Sequence, residues 1–405
     1  MRMIETWRWF GPHDPVSLWD IRQAGATGIV SALHEVPIGE VWPMDKLIER
    51  KRMIEWDGSL IRPRETGLEW LVAESVPVHE SIKLGTDDRD LYIENYQHTL
   101  RNLHAVGLKT VVYNFMPVVD WTRTNLTMEL EDKSIALSFD IEELMVFDLF
   151  ILQRRDAEKD YTPELLEKAL ARYNEMNEAH RQTLTNTIIA GLPGSQEGYS
   201  LEAFKEKLAQ YKGMTSEKYF DNLKYFLQKV IPVAEQYGIR MAIHPDDPPR
   251  SFFGLPRIAS TLSDFTNILN AVDSPSSGFT LCTGSLGACS KNNLVEFVEK
   301  LGSRIHFLHL RNIQRLNGGS FFETGHLKGD VDMYAVIKAI HQEQKKRLAM
   351  HRQDCHIPMR ADHGHAILDD QKKKTNPGYS AIGLLKGMAE LRGLELGIIK
   401  NCQVN

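Results

Sequence analysis

Cysteine is scarce in this chain: Cys282, Cys289, Cys355 and Cys402 are the only four among 405 residues, and no two stand in C-x-x-C spacing. They are too few to staple a chain of this length, which excludes a disulfide framework and points to a reducing compartment. An excess of positive charge is also missing. Lys and Arg number 48 against 54 Asp and Glu, a net charge of −6, so neither nucleic acid nor an anionic membrane surface is expected as the general partner. Nowhere do roughly 20 apolar residues run together as a membrane-spanning helix requires. The opening MRMIETWRWFGP has no apolar core of signal-peptide length. A cytoplasmic protein is therefore expected, and the sequon at Asn125 is chemically idle. Internal repeats and low-complexity tracts are absent as well, since DDQKKK at 369–374 is too short to be more than a solvated turn.

What remains is a chain with 42% hydrophobic residues, enough for a large core. Short β-branched or aromatic runs bounded by Gly, Pro or polar residues predict eight strands, at 4–10, 28–33, 68–74, 109–115, 239–244, 278–282, 304–309 and 357–362. Apolar spacings of three and four predict helices between them, at 15–24, 44–56, 89–106, 216–237, 291–301 and 330–347. The clearest is 216–237, where Tyr219, Leu223, Phe226, Leu227, Val230, Ile231 and Ala234 form one stripe ended by Gly238. In 330–347, Asp330 is the expected N-cap, with Val331, Tyr334, Ile337 and Ile340 on one face. Strand and helix alternating eight times predict an α/β protein, a single (β/α)₈ TIM barrel over 1–405, rather than an open doubly wound sheet. Between strands four and five, 116–215 is too long for an ordinary connection. Its run YTPELLEKALARYNEMNEAHRQTL predicts a helical insertion, a lid or an oligomer contact, flanked by breaks at FMPVVDW and AGLPGSQEG.

Four of the predicted strands end on a possible metal ligand: His244, Cys282, His309 and Asp362. In a parallel barrel the carboxyl ends of the strands converge on one rim, so residues more than a hundred positions apart can share one ion. Imidazole, thiolate and carboxylate together suit a first-row divalent cation better than calcium or magnesium. Zinc held by all four would be closed and structural, whereas a catalytic ion keeps open positions, which favours Mn²⁺ or Fe²⁺ with five or six ligands. Asp246 and Asp247 in HPDDPPR are placed either to orient His244 or to cap the turn. Gly284 in CTGS would let the backbone approach a ligand closely. His306 lies three residues before His309, and strict alternation turns it toward the helices.

Other groups on the same rim bear on substrate and proton transfer. Arg311 shares the face of His309 and could grip a carboxylate. Arg8 and His13, in WRWFGPHDP, could recognise hydroxyls or a carboxylate. His363 beside Asp362 is a candidate acid or base, with His365 the competing choice. Tyr379, in the loop TNPGYSAIG, is a second candidate proton donor. Glu74, His79 and Asn114 are further rim candidates.

The segments WRWFGPHDPVSLWDIRQAGATGIVSALH, YNFMPVVDWTRT, HPDDPPR, CTGS, HLR, ADHGH and KKKTNPGYSAIG resemble the mannonate dehydratase family, from the amino terminus almost to residue 400. The resemblance implies a (β/α)₈ barrel hydro-lyase of hexuronate breakdown that needs Mn²⁺ or Fe²⁺ and converts D-mannonate, a small sugar acid, to 2-keto-3-deoxy-D-gluconate. It implies metal ligands at His244, Cys282, His309 and Asp362 and proton-transfer residues at His363 and Tyr379. A homo-oligomer is expected. Ala361 stands where the family is expected to carry Pro, and 128–215 matches only loosely. The competing expectations are a divalent-metal sugar isomerase on the same barrel, against which Cys282 speaks, and a non-catalytic protein with a closed zinc site.

Overall fold

The computed structural model describes residues 2–58, 64–191 and 200–404. Most of the predicted break AGLPGSQEG lies outside them. Eight parallel strands close a barrel in chain order: Ile4–Arg8, Gly28–Ser31, Glu69–Glu74, Thr110–Tyr113, Arg240–Ile243, Ser277–Cys282, Ile305–His309 and Pro358–Arg360, the last pairing back to the first. Each falls on a segment predicted from sequence. Parallel strands buried on both faces are mainly apolar, and these are so at their centres, with polar residues such as Arg8, Glu74, His309 and Arg360 at their carboxyl ends. Val30, Val72, Val112, Ala242 and Phe307 form a closed apolar layer inside the barrel, directly beneath the rim.

The outer ring packs by helical periodicity. In helix Ser216–Gln236 the predicted stripe, from Tyr219 to Ala234, is buried, and Phe226 sets its ring against Tyr96, Tyr113 and Phe115. Helix Met333–Ala349 differs from expectation. Its N-cap is Asp332, whose side chain accepts from the Ala335 amide, while Asp330 accepts from the Arg315 amide instead. The buried face keeps Ile337 and Ile340 but is centred on Met333 and Val336 in place of Tyr334, a turn of roughly 50° at 100° per residue. Met333, Val336, Ile337 and Ile340 are buried and Tyr334 is 46% exposed.

Residues 116–215 carry the helices Pro163–Glu175 and Glu178–Ala190 over the predicted charged run, but also two strands that were not foreseen. Asn125–Glu129 and Ile135–Phe139 pair antiparallel and join Phe321–Thr324 and Asn312–Arg315 in a four-stranded sheet. This sheet brings residues from two distant insertions to the carboxyl-end rim.

The strand register carries one more correction. Between Ser277–Cys282 and Ile305–His309 the pairing slips after Phe279, so that Thr280 faces Phe307 and His306 is left over. Its ring fills the space that a Cβ on Gly278 would need and lies near Arg240, which bonds Thr110, so His306 is not turned toward the helices. An extra residue in one strand breaks strict alternation.

Close backbone packing also shapes the rim. Helix Ala381–Val404 sits directly on the 362–366 loop, because a Cβ on Gly383 would run into the His365 carbonyl and one on Gly364 into Gly383 itself. Gly383→Ala is therefore expected to cost about 1–3 kcal/mol by overpacking. Thermal unfolding checks it: an unchanged midpoint would show that the helix does not press on this loop.

Candidate metal centre

Three donors meet at the barrel mouth. One ligand atom each from His244, Cys282 and His309 lies within 4.8 Å of the others. His244 Nε2 stands 3.1 Å from His309 Nδ1, and Asp362 reaches the same place, with Oδ1 3.5 Å from His309 Nδ1 and Oδ2 3.6 Å from Cys282 Sγ. Neighbouring ligands around one ion, each about 2.1 Å from it, are themselves about 3.0–3.4 Å apart. The His244–His309 spacing falls in that range, and the two Asp362 spacings, at 3.5 and 3.6 Å, lie just beyond it.

Local structure aims each donor. His244 Nδ1 donates to its neighbour's carbonyl, Pro245 O, at 2.7 Å, which leaves the Nε2 lone pair toward the other donors. Burial lowers the pKa of His244, and a neutral ring is the form that binds a cation. Cys282 ends its strand and caps the short helix Thr283–Gly287, its sulfur accepting from the Ser285 amide. Asp362 adopts a left-handed backbone, φ 54°, which a non-glycine residue holds only where its surroundings over-determine it. Glu74 Oε2 is buried without a hydrogen-bond partner and lies 3.6 Å from His309 Nε2. His309 Nε2 itself accepts from Arg360 Nε at 3.1 Å, so Nδ1 is the nitrogen turned toward His244 and Asp362. With the Glu74 oxygen left orphaned beside it, this convergence of nitrogen, sulfur and oxygen donors fits a divalent metal.

Around the donors runs a continuous chain of buried charges. Arg8 pairs with Glu74 at 3.0 Å, Glu74 with Arg360 at 2.9 Å, and Arg360 with Asp362 at 2.7 Å. Asp362 pairs with Arg311 at 3.0 Å, Arg311 with Asp247 at 2.7 Å, Asp247 with Arg123 at 2.7 Å, and Arg123 with Glu323 at 2.9 Å. Both oxygens of Glu323 then meet His363 Nδ1 at 2.9 Å. Burial raises these carboxyl pKa values, but the facing guanidiniums outweigh it. Asp362 and Glu74 end well below the ordinary range, and Glu323, beside His363, Arg311 and Arg123, is drawn down to about 2.

The remaining predicted residues divide. Tyr379 joins the site, buried, its ring 5.2 Å from that of His363 and 4.8 Å from Phe10; burial raises its pKa. Arg8 stacks over Phe10, and none of its guanidinium nitrogens has a hydrogen-bond partner. His365 is tied by Nε2 to the Glu323 carbonyl at 2.9 Å. His13 is exposed on the loop after the first strand and has no place in this cluster. Neither aspartate of HPDDPPR touches His244: Asp246 accepts from the Ala259 amide and Ser260, while Asp247 joins the charge chain. Gly284 makes room not for a ligand but for Arg311, whose Nε lies where its Cβ would be. His79 caps a helix, and with Asn114 lines a cavity of about 400 Å³ on the same rim.

Sequence reasoning missed Arg360, Arg123, Glu323 and Trp121, whose ring stands 6.0 Å from His363. Arg360 had a signal, since it lies two residues before Asp362 on a strand and shares its face. Glu323 had only the aromatic pair in SFFET to mark a strand.

A closed parallel barrel with such a donor cluster at its carboxyl-end rim defines a TIM-barrel protein with a candidate metal centre. The family model for D-mannonate dehydratase (UxuA) matches residues 1–405. Mannonate dehydratases of Marinomonas sp. (strain MWYL1) and Chromohalobacter salexigens are each 51% identical, over 397 and 399 residues, covering 98% of this chain and 99% of theirs. The crystal structure of mannonate dehydratase from Streptococcus suis serotype 2 superposes with a TM-score of 0.75 at 33% identity, over 99% of this chain and 95% of that one. The chain belongs to the D-mannonate dehydratase family.

The depressed pKa of Glu323 links stability to pH. Its contribution is present above the ordinary carboxyl value of 4.5 and is lost as pH falls through about 2. Denaturant unfolding of metal-free protein between these limits should therefore show stability falling with pH less steeply in Glu323→Gln than in the parent. Parallel slopes would mean that this carboxylate is not held ionised by folding.

Proposed function

We propose that this chain dehydrates D-mannonate to 2-keto-3-deoxy-D-gluconate, with Mn²⁺ or Fe²⁺ held by His244, Cys282, His309 and Asp362. The observation that carries the reading is the meeting of these four donors within reach of the paired rings of His363 and Tyr379. Mixed nitrogen, sulfur and oxygen donors with a hydroxy acid still to be bound favour an ion with five or six ligands over tetrahedral zinc.

Dehydration removes a weakly acidic C2 proton beside a carboxylate and expels the C3 hydroxyl, leaving an enol that tautomerises to the 2-keto acid. Both steps place negative charge on oxygen, and the divalent cation supplies stabilisation of that charge. One of His363 and Tyr379 accepts the C2 proton and the other protonates the departing hydroxyl. Burial, which raises the Tyr379 pKa, keeps its phenol protonated and able to donate. Arg8, buried and with its nitrogens unengaged in hydrogen bonds, is placed to receive the substrate carboxylate. Arg311 is committed to Asp247 and Asp362, and its Nε packs against Gly284, so it orients the carboxylate ligand and does not clamp the substrate. The segment 116–215 serves as a lid: Trp121 and Arg123 lie over His363 and Glu323, and Ile135 bridges to Ala366 beside the ADHGH loop. No helix among the described residues is long and apolar enough to cross a membrane.

Metal-stripped protein given D-mannonate and Mn²⁺ or Fe²⁺ should form a 2-keto acid with loss of water. An isomerised sugar that retains its water would overturn the dehydratase reading. His363→Ala should keep its metal but lose about 10²- to 10⁴-fold in kcat, the usual worth of a general acid or base. Cys282→Ala should weaken Mn²⁺ binding, read by calorimetry, while the fold is retained; undiminished affinity would remove the thiolate from the ligand set.

A further inference from the structure

His363 carries two ring nitrogens, and which of them bears the proton decides what it can do at the substrate. Nδ1 faces three groups: Glu323 Oε1 and Oε2, both at 2.9 Å, and Arg311 Nη1 at 3.1 Å. These contacts make opposite demands. A carboxylate accepts only, so it requires a proton on Nδ1, whereas a guanidinium donates only and requires a lone pair there.

The surroundings decide between them. Glu323 also receives Arg123 Nη2 at 2.9 Å and Nε at 3.3 Å, which holds it as a carboxylate. A bare Nδ1 would then set its lone pair against two carboxylate oxygens in a dry site, a contact far costlier than the lost Arg311 bond. Arg311 Nη1 meanwhile has Asp362 Oδ2 at 3.0 Å as an alternative acceptor. Nε2 makes no hydrogen bond among the described residues.

We propose that Glu323 is the positioning residue of this site, accepting from His363 Nδ1–H and thereby leaving the Nε2 lone pair to exchange the proton with substrate, while Arg123 fixes Glu323 in place. The role in turnover rests on the dehydratase reading, but the tautomer does not. Glu323 comes from the strand Phe321–Thr324 of the four-stranded sheet and Arg123 from the segment before Asn125–Glu129, so the cover of the barrel, not its wall, sets the proton-transfer group. A carboxylate that orients an imidazole is worth about 10- to 100-fold where the ring binds a metal and up to about 10⁴-fold in kcat where the ring transfers a proton.

Nitrogen-15 NMR of the protein loaded with diamagnetic Zn²⁺ in place of the paramagnetic Mn²⁺ or Fe²⁺, with the His363 signals identified by their loss in His363→Gln, reads the tautomer directly. The Nδ1–H form is expected; an Nε2–H ring would overturn the assignment whether or not mannonate is the substrate. In Glu323→Gln, kcat for keto-acid formation should fall about 10- to 10⁴-fold while KM and Mn²⁺ affinity stay within about threefold, and Glu323→Asp should recover part of the loss. A variant that keeps its kcat, or loses Mn²⁺ in step with activity, would show that Glu323 does not act through His363. Should Glu323→Gln fail to fold, the tautomer of the parent protein still decides. A parent that forms no keto acid from mannonate yet shows Nδ1–H would sink the substrate reading alone.

Discussion

Every charged group at the barrel mouth is held by a neighbour of opposite sign, and this alternation is the constraint on which the rest of the site depends. From Arg8 through Glu74, Arg360, Asp362, Arg311, Asp247 and Arg123 to Glu323, each carboxylate meets guanidinium on both sides except at the end, where His363 takes over. Taking ions out of water costs several kcal/mol apiece, and removing one partner of a buried pair leaves the other uncompensated at roughly 3–5 kcal/mol. Such a chain is weak as a source of stability and strong as a source of orientation. No member can turn to a different partner without stranding the next.

The fold makes this chain possible by geometry alone. Parallel strands converge so that Glu74, His309 and Asp362 meet through Arg360, which pairs with His309 in register and bonds both carboxylates, while Val30, Val72, Val112, Ala242 and Phe307 form an apolar cluster inside the barrel. From above, the sheet formed by 125–139 and 312–324 adds Glu323 and its neighbour Arg123. The barrel wall therefore supplies the donors and the cover supplies the groups that orient His363.

Legibility in the sequence follows the same division. All eight barrel strands stood out as short runs rich in apolar, aromatic or β-branched residues between polar or glycine-bearing breaks, and a ligand at the end is visible as a polar residue closing the run, as in RMAIH and GFTLC. The ion pairs did not stand out. Arg311 reads from sequence as a free substrate clamp, because nothing local shows that Asp247 and Asp362, 64 and 51 residues away, saturate it. His13 reads as a rim residue because it follows the first strand, yet the loop carries it outward. The cover sheet was missed since strands such as NLTME are polar and partly exposed, so that no apolar run marks them, and the slip at His306 was missed because periodicity assumes that no residue is left over.

Charge balance then constrains what such a mouth can bind. The chain holds four guanidiniums, of Arg8, Arg360, Arg311 and Arg123, and four carboxylates, of Glu74, Asp362, Asp247 and Glu323, so it is neutral before any cation enters. A divalent ion that takes the Cys282 proton on binding adds one net positive charge to a region from which water is excluded. A buried excess charge is costly, and a monoanion removes it. A sugar acid with one carboxylate restores neutrality, whereas an uncharged aldose or ketose leaves the excess in place. On electrostatic grounds the proposed metal centre is matched to an acid substrate, which is the physical reason to prefer dehydration of a hydroxy acid over isomerisation of a neutral sugar at this rim.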